Sequence, residues 1–454
     1  MRHLVRDIAK GDSTRARSLR SSIMVGIGFG GSNVLRLASN LALTRLLFPE
    51  VFGLMALVQV FMTGLQMFSD LGINLSIIQH ERGEEPDFLN TAWTIQIIRG
   101  VALWLGSCIL AWPAALIYGE PQLAILLPVV GLNAIILGFT TTRIALVNRN
   151  LQIGVQTFTD LGSQVAGLLI TILLAWTTRS VWALVIGLLC TSMIKVVAQQ
   201  TLLKGPANRL HFDRDMSREI IRFGKYIFLS SIAGFLVNQS DRAILGGYVP
   251  LTELGIYSVA YVFANVPLQL AQAAGGQIIF PIYRKFMTTE SAGNRAKVAK
   301  ARRLVLLSTV LLGGLLTLAS VPLVNLLYDH RYTAAGPILA LLGFSVTAQI
   351  ATSNYDGAHL SHGNSKWHFN LICLQAIVQV VLSFLLISRF GLIGAVFALG
   401  VSSLVVYPFK AYVANRYRAW DPLADGATFA LGLGFFGLSC VLWHDSISAL
   451  LAGR

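Results

Sequence analysis

The sequence predicts an all-α polytopic membrane protein. Three observations carry that reading: the composition, the recurrence of long apolar runs, and the one-sided placement of cationic residues. Of 454 residues, 55% are hydrophobic and only 12% are charged, and the mean hydropathy is +0.66. A soluble domain carries about 25% charged residues. An apolar helix of about twenty residues crosses a hydrocarbon layer about 30 Å thick, and runs of that length recur from end to end. No polar stretch is long enough to fold as a soluble domain of its own.

Twelve spans are expected, at roughly 21–44, 51–78, 90–112, 122–145, 153–177, 181–202, 226–247, 254–280, 303–327, 335–358, 367–388 and 391–413. A weaker thirteenth lies near 427–443. Counted on alternate sides of that map, about 26 Lys and Arg fall in the N-terminal tail and the even-numbered connections. Only 5 (Arg45, Arg179, Arg331, Arg389 and Arg454) fall in the odd connections and the C-terminal end. This positive-inside bias puts the N-terminus in the cytoplasm. The formal charge of +14 therefore reports topology and gives no reason to expect a nucleic-acid partner. The basic first segment leads into a long span with no small-residue cleavage site, so it reads as an uncleaved first helix. The cysteines, Cys108, Cys190, Cys373 and Cys440, all fall within apolar runs and read as packing thiols.

An internal repeat divides the chain. FGLMALVQVF at 52–61 aligns with LGIYSVAYVF at 254–263, pairing Gly53 with Gly255, Val60 with Val262 and Phe61 with Phe263. An even number of spans per half makes such a repeat parallel, and transporters built so bind substrate between the halves near the midplane. The expected layout is a basic tail over 1–20, a six-helix lobe over 21–203, a linker over 204–225, and a second six-helix lobe over 226–415. An extra helix and tail follow over 416–454. The two pseudo-symmetric bundles would surround a central cavity. In the linker, Phe212, Met216, Ile220 and Phe223 recur at helical spacing among Arg214, Arg218, Arg222 and Lys225. That pattern predicts an interfacial amphipathic helix, acting as an elbow or recruiting lipid headgroups.

Charges within the spans mark the candidate site. At 100° per residue Asn33, Arg36, Asn40 and Thr44 share one stripe of the first helix, and Gln59, Thr63, Gln66 and Asp70 share one of the second. The third helix carries Arg99, and the seventh aligns Asn238 and Arg242, with Asp241 alongside. A central Arg costs from about 3 to above 10 kcal/mol in lipid, so these stripes should face the bundle interior or a wet cavity. Guanidinium groups favour phosphate or carboxylate oxygens. Arg36, Arg99 and Arg242, with Asn33, Asn40 and Asn238, are thus candidate anion contacts. The alternative pairs the arginines with Asp70, Asp160 or Asp241 as structural ion pairs. Asp70, Asp160, Asp241 and Asp356 are candidates for ion coupling, since burial raises a carboxylate's pKa; helix capping is the alternative. Lys195 should snorkel. His359 and His362 fall in a connection, where no metal site is expected.

No catalytic motif is present: there is no GxxxxGK[ST] loop, no HExxH and no GxSxG elbow. Neither enzymatic activity nor a cofactor is expected.

NVLRLASNLALTRLLFPEVFGLMALV, beginning at Asn33, resembles the opening of bacterial oligosaccharide and exopolysaccharide flippases of the multidrug/oligosaccharidyl-lipid/polysaccharide exporter superfamily. The resemblance continues in SVWALVIGLL at 180–189, NQSDRAILGGYVPLTELGIYSVAYVF at 238–263, IIFPIYRKF at 278–286 and FGLIGAVFALGVSSLVVYP near 390–408. It implies two six-helix lobes around a V-shaped cavity, working by alternating access. The implied cargo is an oligosaccharide on undecaprenyl diphosphate, moved across the bacterial inner membrane among membrane lipids for exopolysaccharide, O-antigen or capsule synthesis. A polysaccharide polymerase and chain-length or export machinery are the implied partners. A small-molecule or drug exporter of this fold or of the major facilitator type is the alternative. The connection IIQHERGEEPDFL lacks the Gly-Asp-Arg-Gly pattern of major facilitators.

Overall fold

The computed structural model describes residues 14–69, 73–80, 82–149, 154–286 and 292–452, and among them every regular element is helical. The first half contains α1 (Thr14–Leu46), α2 (Pro49–Met67), α3 (Ile73–Gln79), α4 (Pro86–Tyr118), α5 (Leu123–Gly138), α6 (Arg143–Arg149), α7 (Gly154–Thr178) and α8 (Val181–Leu202). The second half follows as α9 (Arg214–Leu245), α10 (Leu251–Ala274, extended by a π turn over Gly275–Ile279), α11 (Phe280–Phe286), α12 (Ala292–Leu318) and α13 (Ser320–Leu327). After a 3₁₀ turn come α14 (Ala335–Ala351), α15 (Asp356–Leu360), α16 (Ser365–Arg416), α17 (Pro422–Leu442) and α18 (His444–Ala452).

Among the described residues, nine helical stretches are long and apolar enough to cross a membrane, and the bent pair α5 and α6, 59° apart, makes a tenth. One of the nine is α16, with 52 residues. It breaks at Gly391, whose φ of 52° and ψ of −129° are non-helical. That break separates the expected spans 367–388 and 391–413. The expected first and seventh spans lie within α1 and α9, of 33 and 32 residues. The thirteenth expected segment is a helix of 21 residues, α17, which meets the same length and composition test.

Several spans are more broken than apolar length predicts. The second ends at Met67 and resumes as α3. The fourth stops at Gly138, where Nε2 of Gln96 donates to the carbonyls of Leu137, Gly138 and Thr140 at 3.0–3.2 Å. Those bonds satisfy acceptors that a helix end leaves open. The tenth ends at Ala351, and Asn354 then turns the chain in the left-handed region, with φ 68°.

The linker is helical only in its second part. Residues 204–213 are non-helical, and the helix begins at Arg214 and continues unbroken to Leu245. Asp213 sets that start, its Oδ1 accepting from the N–H groups of Asp215 and Met216 at 2.9 Å each. These bonds hold its carboxyl below the usual range. Upstream, Asn208 Oδ1 accepts from Thr141 Oγ1 at 2.8 Å, the N–H of Arg209 donates to Asn90, and that of His211 to Thr94. Met216 and Ile220 are buried with Ile77, Phe88 and Ala92. Two members of the apolar stripe, Met216 and Ile220, thus pack on protein, while Phe212 is exposed.

The chain divides into two compact units, Met1–Leu47 with Phe61–Ser231, and Phe48–Val60 with Ile232–Arg454. In the first, α4 packs on α5, α7 on α8, α1 on α7 and α5 on α8. In the second, α14 is the central helix, buried along nearly its whole length and touching α10, α12, α13, α16 and α17. Its first two turns and more, Ala335–Phe344, are apolar all round, as in a core helix.

The thirteenth helix is anchored by charge. Arg302 on α12 and Asp425 on α17 are 1% and 4% exposed and meet at 2.7 Å. The Arg302 guanidinium lies over the Tyr355 ring, 3.8 Å from its centroid. Tyr355 and Tyr407 both donate their hydroxyls to Asp425. Arg303 holds Asp421, the N-cap of α17, at 2.6 Å. Arg302 was expected in a cytoplasmic connection; it is instead the core of a helix joint.

Candidate functional site

Each unit carries a polar cavity of its own. In the first, a cavity of about 260 Å³ is lined by Arg36 and Ser39 of α1, Gln164 and Thr171 of α7, and Thr191 of α8, with leucines between them. Arg36 is exposed and donates to Asn33 Oδ1 at 2.8 Å, while Asn33 Nδ2 donates to the carbonyl of Phe29 at 2.8 Å. Two of the predicted stripe residues therefore act together, one orienting the other. Asn40 lies further along the same helix, where its carbonyl accepts from Thr44 at 2.8 Å. Gln164 reaches Ser32 at 3.0 Å, which ties α7 to α1 beside the cavity.

Among the predicted charges of the first unit, Arg99 and Asp160 also have protein partners. Arg99 donates from Nε to Ser69 Oγ at 3.0 Å and from Nη2 to the Gln66 carbonyl at 2.9 Å. That places it at the C-terminal end of α2 and not among the residues lining the Arg36 cavity. Asp160 pairs with Lys195 at 3.0 Å and accepts from Gln199 at 2.9 Å. Lys195 is thus in an α7–α8 ion pair. Asp70 lies outside the described residues.

In the second unit a larger cavity, about 560 Å³, sits beside the π turn of α10 and the break between α14 and α15. It brings together the predicted residues Asn238 and Asp356. Asn238 Nδ2 is held by the Gly234 carbonyl at 2.7 Å. Arg242 and Asp241 lie apart from this lining. Arg242 stacks over Tyr261, 4.4 Å from the ring centroid, and the 1%-exposed Asp241 accepts from Tyr257 Oη at 2.7 Å.

Most of this lining was not anticipated. Gln349, Asn354, Gln375 and Gln379 contribute amides, Ser353 and Ser403 hydroxyls, and His368 and Lys410 titratable groups. Gln375 and Gln379 stand four residues apart in the apolar run LQAIVQVV, a stripe as readable as that of Arg36. Gln375 Nε2 donates to Ser402 at 3.2 Å, while its buried Oε1 has no hydrogen-bond partner among the described residues. A side-chain amide offers two donors and an acceptor; Gln379 engages Ser383 and Ser402 with its own, whereas Asn354 Nδ2, like Gln375 Oε1, has no hydrogen-bond partner among the described residues.

Stacked apolar helices, broken spans and a polar chamber in each unit define a multi-pass helical membrane protein with ligand-sized internal space. The chain belongs to the polysaccharide biosynthesis protein family, whose model matches residues 42–337, well over half of its length. Among curated relatives, the succinoglycan biosynthesis transport protein ExoT of Rhizobium meliloti is 24% identical over 303 residues, 67% of this chain and 61% of that one. The teichuronic acid biosynthesis protein TuaB of Bacillus subtilis is 20% identical over 395 residues, 85% of this chain and 81% of TuaB. The chain spans about half to three fifths of the length of the first two curated relatives it matches. Among solved structures, the lipid II flippase MurJ in an inward closed conformation aligns with a TM-score of 0.68 at 13% identity, covering 95% of this chain and all of that one. An inward-facing multidrug resistance MATE transporter aligns at 0.58 with 15% identity, covering 88% and 99%. The fold is that of these transporters.

Proposed function

We propose that this protein flips a lipid-linked oligosaccharide from the cytoplasmic to the outer leaflet of the cell membrane, for assembly of an exported polysaccharide. The observation that carries the reading is membership of the polysaccharide biosynthesis family in a chain whose units enclose polar chambers within apolar helices. The names of its relatives, a succinoglycan transport protein and a teichuronic acid biosynthesis protein, point to the same cargo class. The proposal includes two pseudo-symmetric six-helix lobes, alternating access, a cytoplasmic N-terminus and an undecaprenyl-diphosphate carrier. It includes no catalysis.

In this reading the anionic end of the carrier meets the first unit's cavity at Arg36, oriented by Asn33. Sugar hydroxyls meet the amides of the second unit's cavity. Arg99 and Arg242, engaged with Ser69 and Tyr261, add positive charge to the unit that each belongs to. Export of a small molecule is the competing reading, favoured by the MATE likeness in fold. Deletion of the gene, followed by assignment of the lipid-linked sugar to a leaflet, separates the two. Complete repeat units accumulating on the cytoplasmic side support flipping. Unchanged polysaccharide with altered drug tolerance supports the exporter.

A further inference from the structure

We propose that Asp356, His359 and His368 form a binding site for a first-row transition-metal ion of the Zn²⁺ type, with an open position toward the second unit's cavity. One ligand atom from each residue lies within 4.8 Å of the other two. Asp356 and His359 stand three apart on α15, and His368 is in the first turn of α16, so the break between these helices brings the three together.

The distances favour coordination over hydrogen bonding. His359 Nε2 and His368 Nδ1 face the same oxygen, Oδ1 of Asp356, at 3.8 and 3.5 Å. A hydrogen bond between nitrogen and oxygen spans about 2.7–3.2 Å. Neither ring nitrogen has a hydrogen-bond partner among the described residues, although His359 is 1% exposed. An imidazole nitrogen buried without a partner is costly, and a cation placed between the three groups removes that cost. Zn²⁺ binds nitrogen and oxygen at about 2.0–2.2 Å, which sets tetrahedral ligand-to-ligand edges of about 3.3 Å. Two edges of the triangle are already close to that value, and the third, between the rings, closes by side-chain rotation.

The donor set selects the ion. Two imidazoles and one carboxylate suit Zn²⁺, Co²⁺, Ni²⁺ or Cu²⁺, whereas Na⁺, Mg²⁺ and Ca²⁺ take oxygen ligands. Three protein ligands leave the fourth position open, in the manner of reactive rather than purely structural sites. Asp356 and His368 line the cavity, so that position takes water or an anionic oxygen entering from it. Lys410 lines the same cavity, and its charge opposes the ion, which sets the affinity below that of a closed four-ligand site. His362 is not among the residues whose ligand atoms converge; its Nδ1 meets the Ala358 carbonyl at 2.7 Å.

The test is titration of the tag-free, full-length protein in detergent with Co²⁺, read by ligand-field absorption, followed by displacement with Zn²⁺ and thermal unfolding with and without Zn²⁺. One equivalent with a four-coordinate spectrum, and an unfolding midpoint raised by Zn²⁺, are expected. His359→Gln, His368→Gln and Asp356→Asn should each weaken binding at least tenfold and abolish the midpoint shift, while His362→Gln changes neither. Should His359→Gln fail to fold, the His368 and Asp356 variants, whose side chains are 34% and 61% exposed, carry the test. Absence of saturable binding to the folded wild type, or binding unchanged in those variants, overturns the site.

Discussion

Gly53 and Gly255 each touch the helix start that precedes the other. A Cβ on Gly53 would lie 2.0 Å from the carbonyl oxygen of Leu251, and one on Gly255 would lie 1.9 Å from that of Pro49. Beside them Thr252 donates to Glu50 at 2.7 Å, across a separation of 202 residues. That same offset relates Gly53 to Gly255 and Pro49 to Leu251. Repeat mates meeting one another, with contacts exchanged, is the signature of a two-fold relation.

Only glycine fits either position, because the obstruction is backbone. Gly53→Ala and Gly255→Ala should each destabilise the protein by about 1–3 kcal/mol through overpacking, read as a lower unfolding midpoint in detergent. Gly434→Ala is the control: nothing lies within 4 Å of its Cβ position in α17. Helix propensity there predicts a gain of about 0.5–1 kcal/mol. Equal midpoints for all three variants would remove the close approach from the account.

The Arg302–Asp425 pair should behave as a buried charge couple. Asp425→Asn leaves a guanidinium uncompensated in a dry interior and should cost about 3–5 kcal/mol. The double variant Arg302→Met/Asp425→Asn should cost less than Asp425→Asn alone, because the orphaned charge is gone. Additive losses in thermal unfolding would contradict the pairing.

These two contacts show what the sequence could and could not display. The span pattern was legible because apolar length is a local property, and the Gly53–Gly255 match was legible because it recurs at one offset. The Arg36–Asn33 contact followed from helical spacing alone. Arg302 reads as one more cation in KVAKARR, since its partner lies 123 residues away, on a segment that looks marginal by itself. The linker pattern was legible as a helical stripe, but amphipathicity does not say which of its members meet protein; Met216 and Ile220 do. His368 likewise joins Asp356 only through the turn between α15 and α16.

Asp421 gives a dependence on pH. Arg303 chiefly, and the Ala424 N–H in addition, hold its carboxyl below the ordinary range against the opposing effect of burial. With a folded value below the unfolded value of about 3.9, its stabilisation is complete above that pH. It is lost as pH falls through the folded value. Between about pH 5 and pH 3 the wild type should therefore lose unfolding temperature more steeply than Asp421→Asn. A constant difference between the two across that window would contradict the assignment.

Arg99 and Arg36 should separate by stability. Arg99→Ala strips donors from Ser69 and from the Gln66 carbonyl, a loss of about 1–3 kcal/mol, and should lower membrane abundance. Arg36→Ala, at an exposed cavity wall, should lower abundance and unfolding midpoint less than Arg99→Ala does while reducing polysaccharide export more. Equal abundance losses in both would make Arg36 a structural residue.

The most direct measurement is transbilayer movement of a lipid-linked oligosaccharide diphosphate in liposomes containing the purified protein, read by the fraction of sugar open to an impermeant oxidant over time. The account predicts movement well above protein-free liposomes, at least tenfold slower with Arg36→Ala and partly restored by Arg36→Lys. Movement at the protein-free rate with folded wild-type protein, or an undiminished rate with Arg36→Ala, would contradict it.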